Sequence, residues 1–155
     1  MAEPAAGLLS AEQCDEFSSA YVRGVVEAVQ DSSFLFVLHN CGHRGHVTSS
    51  MVSTGARGLH FGNQAEMVEV LRNVPPDRLV MGNLDPAGLL RMSTAAAVKG
   101  AVARLLGATA GYPNFILSSG CDTPPGVPEA NIAALLEAVE EANQPPSVSE
   151  RRHVL

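Results

Sequence analysis

The chain has 155 residues, which is the size of one ordinary domain and enough to bury a sizeable core. Hydrophobic residues make up 46% of it and charged residues 17%, a balance that excludes a disordered chain. The net charge of −6 comes without any basic cluster, so neither nucleic acid nor an anionic membrane is expected as a partner.

The first predicted element is a helix that begins after Ser10. Ser10 followed by Gln13 is the pattern of a capping box. Apolar residues then recur at three- and four-residue steps and predict one face of this helix: Cys14, Phe17, Tyr21, Val25 and Val29. The continuous apolar run from Phe34 to Leu38 predicts a strand that is covered on both sides.

Strands and helices then alternate along the rest of the chain. Three further strands are predicted at Gly58 to Phe61, Leu79 to Met81 and Phe115 to Leu117. A helix is expected after each of the four strands, and the sequence marks the ends of three of them: one capped by Asn63 with Glu66 and running to about Asn73, one from Thr94 to near Gly107, and a last one after Pro128 with a face of Ile132, Leu135, Leu136 and Val139. This alternation favours a parallel sheet with crossover helices, and four such units are half of a (β/α)₈ barrel.

Polar residues gather after each predicted strand. Because the carboxyl ends of parallel strands share one face of a sheet, four segments that are distant in sequence are expected to meet there. The residues that follow or end the four strands are, in order, His39 to Arg44, then His60, Gly62 and Asn63, then Gly82, Asn83, Asp85 and Pro86, and finally Ser118 to Asp122.

His39-x-Cys41 and Cys121 form a candidate metal triad. Residues two apart on an extended backbone point the same way, so the imidazole and one thiolate can share an ion to which Cys121 adds a third ligand. One nitrogen and two sulfurs suit Zn²⁺ and leave its fourth position open. Since three cysteines are too few for a disulfide framework and the first residues lack the basic segment of a secretory signal, we expect reduced thiols in the cytoplasm.

Structural explanations stand beside these functional ones. A free cysteine is usually a small buried apolar residue, an interpretation that suits Cys14 best. His43 is either a ligand or a solvated residue near the ligands. Asn63 and Asp85 can be helix caps, and Pro86 at the next position strengthens that interpretation for Asp85.

Four stretches carry a resemblance to a known superfamily. They are HNCG (39–42), GLHFGN (58–63), VMGNLDP (80–86) and NFILSSGCDTPPGVPEANI (114–132). The chain resembles the uroporphyrinogen decarboxylase / corrinoid (methylcobamide) methyltransferase superfamily from about Leu9 to Val139, over the C-terminal half of those barrels only. The resemblance implies half of a (β/α)₈ TIM barrel, with four parallel strands and about five helices, in a domain of residues 1–143 followed by a tail of residues 144–155.

The resemblance implies one of two reactions. The decarboxylase branch is metal-free and acts on a tetrapyrrole, whereas the methyltransferase branch binds zinc through His-x-Cys and a distant Cys and moves a methyl group from a methylcorrinoid protein to a small thiol. His39, Cys41 and Cys121 fall on the three ligand positions, which favours the methyltransferase. His60 stands near the position where some zinc relatives carry an acidic ligand, so it is a candidate extra ligand or pocket residue. The expected pocket and supporting residues are His43, Asn63, Asn83, Asp85 and Asp122.

A four-strand half-barrel is expected to have two unpaired edges. We therefore expect a homodimer or a missing N-terminal half to complete the barrel, and possible partners include a corrinoid protein. A third alternative is a non-catalytic partial-barrel remnant or assembly partner, because a half-barrel lacks a complete pocket.

Overall fold

The computed structural model of the protein describes residues 1–42 and 44–144. Its four strands form one parallel sheet in the order β1-β2-β3-β4. The strands are β1 (Val37–Asn40), β2 (Gly58–Phe61), β3 (Leu79–Leu84) and β4 (Phe115–Ser119). Each strand lies beside the next one in sequence, so the predicted α/β class with four parallel strands is confirmed.

The described residues contain six α-helices. They are α1 (Ala11–Cys14), α2 (Ala20–Val29), α3 (Thr48–Ser53), α4 (Met67–Asn73), α5 (Ala95–Thr109) and α6 (Glu129–Asn143). The prediction of about five helices treats α1 and α2 as one, but a π-helical turn, Asp15–Ser19, separates them. A 3₁₀ helix (Pro4–Leu8) precedes α1, and a second π-helical turn (Pro86–Arg91) follows β3.

Of the caps predicted at the starts of α1, α4 and α5, two are confirmed and one is wrong. Ser10 and Gln13 form the capping box of α1, and the Thr94 side chain accepts a hydrogen bond from Ala97 at the start of α5. Asn63 does not cap α4, because the helix begins only at Met67 and the chain first makes a backbone turn between Gly62 and Ala65.

Three of the four strands differ from the prediction in their boundaries. β1 ends at Asn40 instead of Leu38. β1 starts at Val37 instead of Phe34, because the Asp31 carboxylate accepts hydrogen bonds from the backbone amides of Ser33 and Phe34 and holds that segment in a turn. β3 and β4 are longer than predicted. The polar residues at their ends, Asn83 and Ser118 among them, therefore lie within the strands and not after them.

The predicted apolar face of the first helix is exposed beyond its first residue. Phe17 is 61% exposed and Tyr21 70%. We call this surface the α2 stripe; it consists of Phe17, Tyr21, Val25 and Val29. The buried face is the adjacent one, made by Cys14, Ser18, Ser19, Val22 and Val26.

Hydrogen bonds explain why two serines replace the expected apolar residues on the buried face. The Ser19 hydroxyl donates to the Ser50 carbonyl at 3.0 Å, and the Ser18 hydroxyl donates to the Glu3 carboxylate at 3.1 Å. A buried hydroxyl costs little once it is hydrogen-bonded. The contacts come from distant residues, so the periodicity of the helix alone does not reveal them.

The final helix also departs from its predicted face. Ile132 and Leu136 are exposed, whereas Asn131 and two alanines are buried. The Asn131 amide donates to the carbonyls of Leu90 and Ser93 at 2.8 and 2.9 Å, which ties α6 to the turn that follows β3.

Successive side chains along each strand point to opposite faces of the sheet, so one face packs in the core and the other carries the candidate site. Leu38, Leu59 and Val80 are buried in the core beneath the helices. His39 and His60 are register partners on neighbouring strands, and each is offset by one residue from a core residue, so their side chains face the other side of the sheet.

The half-barrel prediction left the edge of β1 unpaired, but in the structure this edge is paired with the first residues of the chain. Residues 1–3 run parallel to β1: the His39 amide donates to the Met1 carbonyl and the Glu3 amide to the His39 carbonyl, both at 2.9 Å. Across the described ranges, no helix combines the length and apolar character needed to cross a membrane.

Candidate metal centre

Two histidines stand side by side where β1 and β2 end. The His39 and His60 ring centroids are 4.5 Å apart, and His39 Nδ1 lies 3.3 Å from the His60 carbonyl oxygen. Because a carbonyl only accepts, Nδ1 carries the proton and Nε2 keeps its lone pair. His39 Nε2 is buried and has no hydrogen-bond partner among the described residues. This orphaned nitrogen has the form of a metal ligand whose other ring nitrogen is held by a carbonyl.

Two cysteine sulfurs lie beside that nitrogen. Cys41 follows β1 and Cys121 follows β4, yet the ligand atoms of His39, Cys41 and Cys121 all lie within 4.8 Å of one another. In a flat sheet β1 and β4 would be three strand spacings, or about 14 Å, apart. The sheet therefore curves so that side chains at its two edges converge, as they do inside a barrel.

The environment of His39 and Cys41 favours the neutral form of each. Burial, and then the neighbouring His60, lower the pKa of His39. Burial, and then the hydrogen bond with Cys121, raise the pKa of the Cys41 thiol. A divalent cation would reverse the preference at the sulfurs by compensating two thiolate charges. One nitrogen and two sulfurs are a donor set that fits Zn²⁺ with one position open.

His60 lies next to this group but is engaged elsewhere. Its Nε2 is 2.8 Å from the Ser119 carbonyl oxygen and 3.0 Å from the Ser118 hydroxyl. The carbonyl again requires a donor, so Nε2 carries the proton. His60 is not one of the residues whose ligand atoms converge with the triad, among those that the structure describes.

A cavity of about 490 Å³ lies beside two of the three candidate ligands, His39 and Cys121. Its other lining residues are residues 1–2, Val37, His60, Ser119 and residues 122–123; Cys41 is not among them. Asp122 brings a carboxylate to the cavity and is exposed. The space is large enough for a small substrate beside the open position.

Comparison with known proteins places the chain in a family. The pattern of the uroporphyrinogen decarboxylase (URO-D) family matches residues 1–142. The chain belongs to that family. The family membership predicted from the sequence is therefore confirmed.

The curated relatives within the family carry two names. The chain is 27% identical over 133 residues to a methylcobamide:CoM methyltransferase, MtbA, from Methanosarcina acetivorans, which covers 86% of this chain and 38% of that protein. It is 30% identical over 141 residues to a uroporphyrinogen decarboxylase from Prochlorococcus marinus, which covers 90% of this chain and 39% of that protein. The chain thus spans about two fifths of the length of these relatives, and identity alone does not separate the two activities.

A solved structure supports the fold. A methyltransferase from Methanosarcina mazei superimposes with a TM-score of 0.79 at 21% identity, over 91% of this chain and 41% of that chain. The predicted partial TIM barrel is confirmed by this likeness, which at such identity concerns the fold alone.

The remaining predicted site residues divide into three groups. Asp85 acts as a cap: its carboxylate accepts from the amides of Ala87 and Gly88, both at 2.9 Å. Asn83 donates to backbone carbonyls in the turn after β2, and Asn63 is exposed; neither lines the cavity. His43 and the tail residues 145–155 lie outside the described residues.

Sequence reasoning missed how His60 is held. The sequence places Ser118 and Ser119 only among the polar residues after the fourth strand, whereas in the structure the Ser118 hydroxyl and the Ser119 carbonyl together hold the His60 ring. A histidine and two serines at the ends of different strands are a weak signal, because only the curvature of the sheet brings them together.

Proposed function

We propose that the protein is, or is part of, a zinc-dependent methyltransferase that moves a methyl group from a corrinoid (methylcobamide) carrier to a small thiol. The observation that carries the proposal is the convergence of one ring nitrogen of His39 with the sulfurs of Cys41 and Cys121 within 4.8 Å, together with the buried His39 Nε2 that has no hydrogen-bond partner. The methylcobamide:CoM methyltransferase relatives support the same chemistry.

The residues of the chain have distinct tasks in this proposal. His39 is oriented by the His60 carbonyl, which leaves Nε2 directed for ligation. Cys41 and Cys121 together bring two negative charges, which offset the charge of the ion and keep the sulfur of the substrate electron-rich. Zn²⁺, when bound, would lower the pKa of a thiol in the open position and so make it a thiolate at neutral pH. The cavity holds the thiol in line with the incoming methyl group, which is catalysis by proximity.

We further propose that a complementary half-barrel of βα units covers the α2 stripe, on the same polypeptide or on a separate one. Phe17 and Tyr21 are large aromatic side chains that remain 61% and 70% exposed on one face of a helix. The chain matches only 41% of the solved methyltransferase, which supports a further part of the barrel outside these 155 residues. The corrinoid protein would then approach the completed cavity.

A second candidate is uroporphyrinogen decarboxylase activity, which the 30% identical relatives favour. That activity requires a tetrapyrrole in the cavity and no metal. It predicts that the cysteines are dispensable. A non-catalytic remnant would bind neither zinc nor a tetrapyrrole.

Metal content of the purified protein tests the proposal. We expect one zinc per chain after loading with Zn²⁺ and removal of the excess, and loss of that zinc in Cys41→Ala and in Cys121→Ala. Cys14→Ala is the matched control, because Cys14 is a buried thiol outside the metal-binding group. A folded wild-type protein without zinc, or variants that retain it, would contradict the proposal. Tetrapyrrole binding by the metal-free protein would favour the decarboxylase instead.

A further inference from the structure

Two glycines lie where the loops after β1, β2 and β4 stack against one another. A Cβ atom placed on Gly62 would lie 2.6 Å from both the Cα and the carbonyl oxygen of Cys41. These are backbone atoms, which a rotamer change does not move away. The loop that carries Cys41 therefore rests directly on the backbone of Gly62.

The same loop after β2 is also contacted by the loop after β4. A Cβ atom placed on Gly120 would lie 2.5 Å from the amide nitrogen of Asn63 and 3.1 Å from the carbonyl carbon of Gly62. Gly120 immediately precedes Cys121. The backbone of residues 62–63 thus contacts both the loop of Cys41 and the loop of Cys121.

Asn83 holds this segment in place. Its side-chain amide donates to the Gly62 carbonyl at 3.0 Å and to the Ala65 carbonyl at 2.6 Å. The Gly62 amide in turn donates to the Asn40 carbonyl at 3.1 Å, and the Gly120 amide to the Leu84 carbonyl at 2.7 Å. The segment is tied to β1 and β3.

We infer that Gly62 and Gly120 are positioning residues that set the separation of the Cys41 and Cys121 sulfurs, with the backbone of residues 62–63 as the spacer. The inference rests on the proposed metal centre. A methyl group at either glycine thickens the stack and moves one sulfur away from the other. Neither glycine has a positive φ, so alanine acts there through its volume and not through backbone strain.

The test compares two metal ions of different size in Gly62→Ala and Gly120→Ala. Zn²⁺ and Cd²⁺ affinities are measured by competition with a chromophoric chelator, and circular dichroism establishes folding. We expect Zn²⁺ to bind about 10- to 100-fold more weakly in both variants, as for other changes around metal ligands. The affinity for Cd²⁺ should fall less than the affinity for Zn²⁺, because the larger ion can bind two sulfurs that are farther apart. Gly107→Ala is the control and should bind both ions as the wild type does, since a Cβ there meets nothing within 4 Å.

Three results would overturn the inference. The first is an unchanged zinc affinity in both alanine variants, and the second is an equal fall in the affinities for Zn²⁺ and Cd²⁺. The third is a fall in zinc affinity of the same size in Gly107→Ala. If Gly62→Ala does not fold, Gly120→Ala decides, because a Cβ there meets the backbone of the same segment and should also weaken Zn²⁺ binding more than Cd²⁺ binding. A wild-type protein that binds no zinc would instead refute the proposed function itself.

Discussion

The number of protons released on metal binding is a sharp prediction of the site. Each cysteine gives up a proton to bind as a thiolate. His39 gives up none at neutral pH, because burial and the neighbouring His60 lower its pKa and leave the ring neutral. Zn²⁺ binding should therefore release about two protons at pH 7.

The pH dependence follows from that count. Each released proton changes the binding constant about tenfold per pH unit, so zinc affinity should rise about 100-fold per unit around pH 7. The lowered pKa of His39 determines how zinc affinity changes with pH in acid. Its neutral ring is ready for ligation above that pKa, so a third proton should enter the count only in acid, below the ordinary histidine range of about 6.5.

Calorimetric titration in buffers of different ionisation enthalpy measures the proton count directly. Cys41→Ser is the informative variant, because it removes one thiol and should reduce the count to about one. A count near three at pH 7 would show that His39 is protonated and that its described environment is wrong. A count of zero would show that the cysteines are not ligands.

Three further predictions concern stability, each measured as the free energy of unfolding in urea. Asn131→Ala leaves the Leu90 and Ser93 carbonyls without their donor and should cost about 2–4 kcal/mol; a change below about 0.5 kcal/mol would contradict the buried amide. Thr94→Ala removes the cap of α5 and should cost about 1 kcal/mol, whereas Thr94→Ser, which keeps the hydroxyl, should lose less. Tyr21→Ser should change the isolated chain by no more than about 0.5 kcal/mol, and a loss above 1 kcal/mol would mean that the α2 stripe is packed and not exposed.

Local signals predicted the features that local chemistry determines. Both ends of β2, Gly58 and Phe61, are where the sequence places them. Asp85 and Asn63 show the value of a second signal. Both are residues that cap helices, but only Asp85 is followed by a proline suited to the first helical turn, and only Asp85 caps.

Distant contacts decide the features that were not predicted. Periodicity shows that the first helix is amphipathic, but it does not show which of two adjacent faces is buried. The face with Ser18 and Ser19 is buried because residues far along the chain satisfy its hydroxyls. The convergence of Cys41 with Cys121 likewise depends on the curvature of the sheet, which the H-x-C spacing does not encode.

The pairing of residues 1–3 with β1 has a practical consequence for anyone who purifies the protein. Met1 and Ala2 form part of the cavity wall, so residues fused ahead of Met1 would emerge at its rim. A polyhistidine tag attached there would bring additional imidazoles close to the triad and compete for the same ions. Metal measurements should therefore be made with an affinity handle that has no histidines.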